Sequence, residues 1–365
     1  MKTIKIDVVD LWPGADKNKV WIVELLKRYY HIEFSEKPDF LLFSCYSNDF
    51  LKYDNCVKIF FTGENVVPNF NYCDYAIGFA TLDFGNRYFR RYNSMISQSI
   101  QDRSNVTKEL LNRRFCNFVY SNASDGKLAQ LRQDFCKKLM EYKNVDCPGA
   151  VLHNMDTDEL EPRNGDWRES KKEFLKKYKF TIAFENSFSN GYTTEKLIHP
   201  LKSFSVPIYY GNPEVVRDFN PKSFINCNDY NNDFDAIIER IKYLDTHDDE
   251  YLAMLREPPM QPNVDFEDTR FIKWLCSVID NPKIFDKGPR PDWEYGSYKN
   301  NFYKLNIENE NLKSQINQDK EVLNRINQIN SDLQSVIVKQ RKYLNLLFVA
   351  QFVWLFVLLF LLFAF

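Results

Sequence analysis

The chain has 365 residues, a length that suits about two domains with accessory segments. Its 48 Lys and Arg nearly cancel its 50 Asp and Glu, which argues against a strongly basic nucleic-acid binder and against an acidic disordered tail. With 44% apolar and 27% charged residues it has the make-up of a globular protein with a sizeable core.

The opening Met1-Lys2-Thr3-Ile4-Lys5-Ile6-Asp7 carries no apolar signal segment, so no secretory leader is expected. Residues 3–11 alternate and are β-branched, which predicts a strand, and Ile22, Leu25, Leu26 and Tyr29 follow at helical spacing. Apolar runs at 40–45, 57–61 and 75–79 are short and bounded by Asn, Asp, Gly and Pro, as buried parallel strands are. A second series opens at 117–120, with Leu128, Leu131, Phe135 and Leu139 marking the next helix. Strands at 180–184, 207–210 and 224–226 then enclose helical stripes at Leu197, Ile198, Leu201 and Phe204, with a further stripe at Phe234, Ile237, Ile238 and Ile241. Such alternation predicts parallel sheets flanked by helices. Two Rossmann-like domains are expected, 1–113 and 114–280, with a ligand in the cleft at the carboxyl ends of the strands.

Pro282, Gly288, Pro289, Pro291 and Gly296 mark 281–300 as a linker. Residues 301–342 lack Gly and Pro. One heptad frame there places Phe302, Asn309, Ile316, Leu323, Asn330 and Ile337 at a, and Leu305, Leu312, Asp319, Ile326, Leu333 and Gln340 at d. A coiled-coil stalk of ~60 Å and a homodimer are expected, with a single amphipathic helix as the alternative. Residues 344–365 carry no charge and follow Lys339, Arg341 and Lys342. At about 1.5 Å per residue this run reaches the ~30 Å of a hydrocarbon core, so 343–365 is expected to be a C-terminal transmembrane anchor with the body in the cytoplasm.

Neither G-x-G-x-x-G nor a P-loop occurs among the eleven glycines, and the four histidines form no H-E-x-x-H. The eight cysteines include no C-x-x-C, and several sit in apolar runs, which predicts buried free thiols in a reducing compartment. The most informative segment is Phe184-Glu185-Asn186-Ser187-Phe188-Ser189-Asn190-Gly191-Tyr192-Thr193-Thr194-Glu195-Lys196. A strand runs into a polar loop, and Thr193 or Thr194 caps the helix that follows. Free amides at that helix start, with Lys196 in its first turn, suit a phosphate or diphosphate, or else form a capped helix with a solvated Lys.

This segment, followed by Pro207-Ile208-Tyr209-Tyr210-Gly211, resembles the signature of the bacterial-type α1,3/4-fucosyltransferases, glycosyltransferase family 10. Phe61-Thr62-Gly63-Glu64-Asn65 resembles their acceptor-side T-G-E-N, and segments 74–79, 118–122 and 218–224 extend the likeness over roughly 3–280. The resemblance implies a GT-B architecture whose first domain faces the acceptor and whose second binds GDP-fucose. It implies inversion at the fucose anomeric carbon and transfer to an N-acetylglucosamine hydroxyl of a lactosamine-type glycan, with α1,3 favoured over α1,4. Glu64 then corresponds to the general base, while Lys196 stabilises the leaving diphosphate. Asn186, Tyr192 and Glu195 match donor-pocket residues. Glu195 would accept from ribose or fucose hydroxyls, Tyr192 either makes a polar contact or packs, and Glu185 would orient the loop.

One departure stands out. Where relatives place a phosphate-binding Arg, the segment Pro148-Gly149-Ala150-Val151-Leu152-His153-Asn154 has none. His153 is the nearest polar group, with a structural role as the alternative, and Arg163 from the next loop is another candidate. Asp156-Thr157-Asp158 has the D-x-D form of metal-dependent transferases, but the family does not require it, so no metal or other cofactor is expected. Tyr88, Arg90, Arg91 and Tyr92 either border the acceptor channel or form a solvated basic turn. Competing readings are a transferase for another nucleotide sugar and an inactive glycan-binding module; intact Glu64, Asn186, Glu195 and Lys196 argue against the second.

Overall fold

The computed structural model describes the backbone of all residues except 92–97, 123–126, 163–164, 232, 263, 265, 267, 286–291 and 364–365. The chain divides into two units, Met1–Gly288 and Pro289–Phe365.

The first unit is built on two parallel sheets. One contains β1 (Thr3–Val9), β2 (His31–Phe34), β3 (Phe40–Phe43), β4 (Val57–Phe61), β5 (Tyr75–Gly78) and β6 (Tyr88–Arg90), in the order β2-β1-β3-β4-β5-β6. β3 and β4 are buried along their whole length, as strands covered on both faces must be. The other sheet contains β7 (Arg114–Asn117), β8 (Val145–Asp146), β9 (Tyr178–Phe184), β10 (Val206–Tyr210) and β11 (Ile225–Asn226), in the order β11-β10-β9-β7-β8. Read from β8, the second sheet repeats the leading order of the first: in each, the second strand lies outside the first and the third lies inside it. The strand order therefore reverses at β1/β3 and again at β7/β9, and a crevice opens at the carboxyl ends there. The two parallel sheets expected from the alternation are both present.

Helix α1 (Trp21–Leu26) covers the first sheet. Four helices serve the second half: α2 (Lys127–Met140), α3 (Trp167–Leu175), α4 (Glu195–Lys202) and α5 (Phe234–Thr246), with α6 (Asp248–Arg256) packed beside α5. Phe135 and Leu139 of α2 and Ile237 and Ile241 of α5 share one core with Phe118, Phe180, Ile182 and Ile208. Helix α7 (Thr269–Asp280) follows these in sequence but does not pack with them. Its stripe of Phe271, Leu275, Val278 and Ile279 is buried among Ile4, Ile6, Val23 and Ile59 of the first half. At about 1.5–3 kcal/mol per buried side chain, that stripe ties the chain's return to the first sheet. The second half as read from the sequence, 114–280, thus ends in a helix that belongs in space to the first.

All eight cysteines are free thiols, six of them buried.

The second unit is one helix, α8 (Asp292–Phe363), of 72 residues. It begins inside the segment predicted as a linker and runs unbroken past positions 300 and 343. Seam residues Leu312, Ile316, Leu323, Ile326, Leu333 and Ile337 are each about half exposed on this helix. The transmembrane expectation is not met: among the described residues, no helix is long and apolar enough to cross a membrane. Asn345 and Gln351 interrupt the apolar run after Lys342, and the side chains of 358 and 360–365 lie outside the described residues.

Candidate active site

Strand β9 ends at Phe184, and the next residue, Glu185, is fully buried. Its backbone N–H donates to the Tyr210 carbonyl at 2.8 Å, continuing the ladder with β10. Its carboxylate accepts from the Thr194 N–H and from the Thr194 hydroxyl, both at 2.7 Å. Thr194 caps α4, its hydroxyl accepting from the Lys196 N–H at 3.4 Å. Gly191 makes the intervening loop possible. It adopts φ +91°, and a Cβ there would lie 2.2 Å from the Phe79 carbonyl oxygen. Its N–H donates to Asn212 at 2.8 Å. Glu185 is therefore the post around which the loop is wound, which is the loop-orienting role its position predicts.

Lys196 points into this frame. Its ammonium lies 3.4 Å from Glu185, 3.5 Å from Glu195 and 3.3 Å from the Thr194 hydroxyl. Burial opposes its charge, yet the two carboxylates outweigh that and hold its pKa above the ordinary lysine range. Burial also pushes the Glu195 carboxyl upward, but Lys196 and then Lys171 overcome it and hold the pKa down to about 2. For Glu185 burial wins over the pull of Lys196, and its pKa is raised.

The first sheet supplies the opposite wall. Glu64 follows β4 in a turn closed by its N–H on the Thr62 hydroxyl at 2.9 Å. Its carboxylate accepts from the Tyr46 hydroxyl at 2.8 Å. The neighbouring Asn65 reaches across to Ser187 at 2.8 Å and accepts from Ser189. Further contacts join the halves. Arg90 pairs with Asp218 through two bonds of 3.0 and 2.6 Å, Thr81 donates to Glu214 at 2.7 Å, and the Tyr192 ring meets Phe79 edge-on at 5.2 Å.

Between these walls lies a cavity of about 820 Å³. Glu64, Asn186, Tyr192, Glu195 and Lys196 all line it. Tyr192 is buried against Phe79, so it packs as well as borders the cavity. His153 does not line it. Its ring is half exposed, with one nitrogen 3.1 Å from the Gly149 carbonyl oxygen and the other 3.1 Å from Asp156. Asp156 holds its pKa above the usual imidazole value, and the Gly149 carbonyl adds to this. Arg163 lies outside the described residues. Of the D-x-D segment only Thr157 lines the cavity, and no group of three potential metal ligands occurs among the described residues. The basic turn is structural: Tyr88 is buried with its hydroxyl on the Ala80 carbonyl, Arg90 holds Asp218, and Arg91 pairs with Asp268 over the rings of Trp21 and Phe271. Tyr92 lies outside the described residues.

Sequence reasoning missed three cations on the wall: Arg132, Arg168 and Lys171. Arg132 is buried on α2, 4.4 Å from the Tyr120 ring centroid, and donates to the Asn122 carbonyl. The signal was there. Arg132 falls four residues after Leu128 and three before Phe135, inside an apolar stripe. Lys171 likewise lies between Trp167 and Leu175 on one face of α3. Gly149 closes the wall, since a Cβ there would lie 2.1 Å from the Tyr120 carbonyl oxygen. Chemically, the cavity opposes a carboxylate from one sheet to a cluster of cations and helix-start amides from the other. That suits an anionic ligand with a reacting hydroxyl at its far side.

The two halves of the first unit also match known protein families. The model of the alpha-(1,3)-fucosyltransferase FucT N-terminal domain matches residues 6–96, and that of glycosyltransferase family 10 (fucosyltransferase), C-terminal part, matches 112–278. The alpha-(1,3)-fucosyltransferase FucT of Helicobacter pylori is 32% identical over 341 residues, covering 78% of this chain and 68% of that protein. A putative fucosyltransferase, R654, of Acanthamoeba polyphaga mimivirus is 31% identical over 148 residues, 40% of this chain and 24% of that one. Among solved structures, an alpha1,3-fucosyltransferase with GDP-fucose superposes with a TM-score of 0.61 at 31% identity, over 78% of this chain and 92% of that one. An alpha1,3-fucosyltransferase with GDP gives 0.62 at 29% identity, over 79% of this chain and 93% of that one.

Proposed function

Because the chain belongs to glycosyltransferase family 10, the fucosyltransferases, we propose that it transfers L-fucose from GDP-fucose, with inversion, to an N-acetylglucosamine hydroxyl of a lactosamine-type glycan, forming an α1,3 linkage. The observation that carries this reading is that Glu64 and Lys196 line one cavity, each from the carboxyl edge of a different sheet. The two sheets are the two halves of a GT-B enzyme.

Glu64 takes the proton of the acceptor hydroxyl as its oxygen attacks the anomeric carbon. The bond from that carbon to the diphosphate breaks on the opposite side, and the electron pair leaves with GDP. General-base help of this kind is worth roughly 10²–10⁴-fold. Charge growing on the departing phosphate meets Lys196 and the amides at the start of α4, an arrangement worth roughly 10²–10³-fold. Arg168 and Lys171 take the place of the missing phosphate-binding Arg, a role that His153, facing solvent, does not fill. Asn186 and Glu195 receive donor hydroxyls. With this many cations in the wall, the diphosphate is neutralised by the protein, and activity is expected to survive chelation of metals.

Outside the cavity, the half-exposed seam of α8 supports a homodimer through residues 301–342. The free thiols favour a cytoplasmic catalytic unit. The test is incubation of the full chain with GDP-fucose and N-acetyllactosamine, with GDP release followed and the product linkage read by NMR. Turnover of a UDP-linked sugar, or of a different GDP-sugar in preference to GDP-fucose, would overturn the assignment.

A further inference from the structure

Two large rings face solvent on the first-sheet side: Tyr46, whose hydroxyl meets Glu64, and Trp12 next to Tyr46. Trp12 is 46% exposed and Tyr46 42%, although both follow strands of the buried first sheet. Their rings meet edge-on with centroids 6.5 Å apart and planes at 69°. They are held there by construction. Asp10, between β1 and Trp12, is buried and takes a left-handed backbone at φ +58°. Its carboxylate accepts from the Ser47 hydroxyl, from the Asp49 N–H at 2.7 Å and from the Phe50 N–H at 3.0 Å. Its carbonyl accepts the Tyr46 N–H at 3.2 Å. One buried carboxylate thus locks the loop carrying Trp12 to the loop carrying Tyr46, and Tyr46 in turn grips Glu64.

We infer that Trp12 and Tyr46 form an acceptor subsite in which the rings take the apolar face of a pyranose, while the Tyr46 hydroxyl fixes the carboxylate that receives the acceptor's proton. This deepens the proposed function and rests on Glu64 being the base. A sugar ring presents a face of C–H groups that packs on an aromatic surface, and rings fixed in advance lose little entropy on binding. The position fits only one substrate. The cation cluster that suits a diphosphate lies on the second sheet, so the rings at the edge of the first sheet are left for the neutral sugar. Tyr46 is a positioning residue for the base as well as a surface for the acceptor. Partial burial, and then the Glu64 carboxylate that it donates to, raise the tyrosine's own pKa, so the hydroxyl keeps its proton and stays a donor throughout the working range.

The test uses the full chain with steady-state GDP release. Trp12→Ala should raise the acceptor KM about tenfold while the GDP-fucose KM moves less than twofold, and Trp12→Phe should recover most of the loss. Tyr46→Phe keeps the ring and removes the hydroxyl. It should lower kcat about tenfold at nearly constant acceptor KM. Acceptor titration in the presence of GDP should quench tryptophan fluorescence in the wild type and lose that quench in Trp12→Phe. Trp12→Ala with an acceptor KM within twofold of wild type, or donor and acceptor KM rising together, would overturn the subsite and leave the proposed function standing. A wild-type chain that never turns over GDP-fucose would overturn both.

Discussion

Replacing Lys196 by Met removes a cation that the start of α4 places between two carboxylates. At an effective dielectric of about 20, an ammonium at about 3.5 Å from a carboxylate gains roughly 5 kcal/mol, and Lys196 has two such partners at 3.4 and 3.5 Å. Desolvation offsets most of that gain, so the cost of breaking the cluster is about 3–5 kcal/mol, left mainly on the buried Glu185. A domain of this size should lose roughly 10 °C in Tm. The pKa of Lys196 is raised in the folded state, so its stabilisation is complete below the unfolded lysine value and is lost only as pH rises through the folded one. The stability gap between wild type and Lys196→Met should therefore be flat from neutral pH to about pH 9. On activity, loss of the charge that meets the leaving phosphate should cost roughly 10²–10³ in kcat. Lys196→Arg keeps a charge and should fall between, while adding Glu185→Gln to Lys196→Met should restore stability without restoring kcat. The assays are denaturant unfolding and GDP release below the melting range. A Lys196→Met protein that is folded and turns over within threefold of wild type would refute the reasoning.

Other consequences follow from the same frame. His199 is buried, its Nδ1 has no hydrogen-bond partner among the described residues, and burial followed by the Lys171 charge pulls its pKa down to about 3. The unfolded chain thus binds a proton that the folded one refuses. Stability is full above about pH 6.5, falls as pH drops toward 3, and this fall should be shallower in His199→Gln. Gly191→Ala must place a Cβ against the Phe79 carbonyl at a positive φ, and it should destabilise by about 2–3 kcal/mol and weaken GDP binding, read by calorimetry. Asp218→Asn breaks the largely buried pair with Arg90 that joins the halves and should cost about 3 kcal/mol in urea unfolding.

How much of this was legible depended on how the physics is written into the sequence. β9, Tyr-Lys-Phe-Thr-Ile-Ala-Phe, is buried at every position and reads as a strand at sight, as does the loop that it feeds. β2, β6 and β8 are as short as β3, β5 or β11 but, unlike them, are only partly buried and carry no continuous apolar run. Helix α7 has a clear apolar stripe, but nothing local says that the stripe belongs to the first sheet and not to the second. His153 stands outside the cavity lining, after a Leu152 that adopts φ +54°, a local turn that residue spacing does not encode. Arg132 is buried within the apolar stripe of α2, and Lys171 is partly buried on α3; nothing in their spacing alone separates such charges from solvated ones. The apolar tail was legible as composition, and the side chains of 358 and 360–365 within it lie outside the described residues.

Glu64→Gln removes the proposed base while keeping the side chain's size and an oxygen for Tyr46 to donate to. With GDP affinity measured by calorimetry and kcat by GDP release on the same preparation, kcat should fall roughly 10²–10⁴-fold at unchanged GDP affinity. A variant that keeps kcat within threefold, or that loses GDP binding in step with turnover, would contradict a base on one sheet acting against a cation cluster on the other.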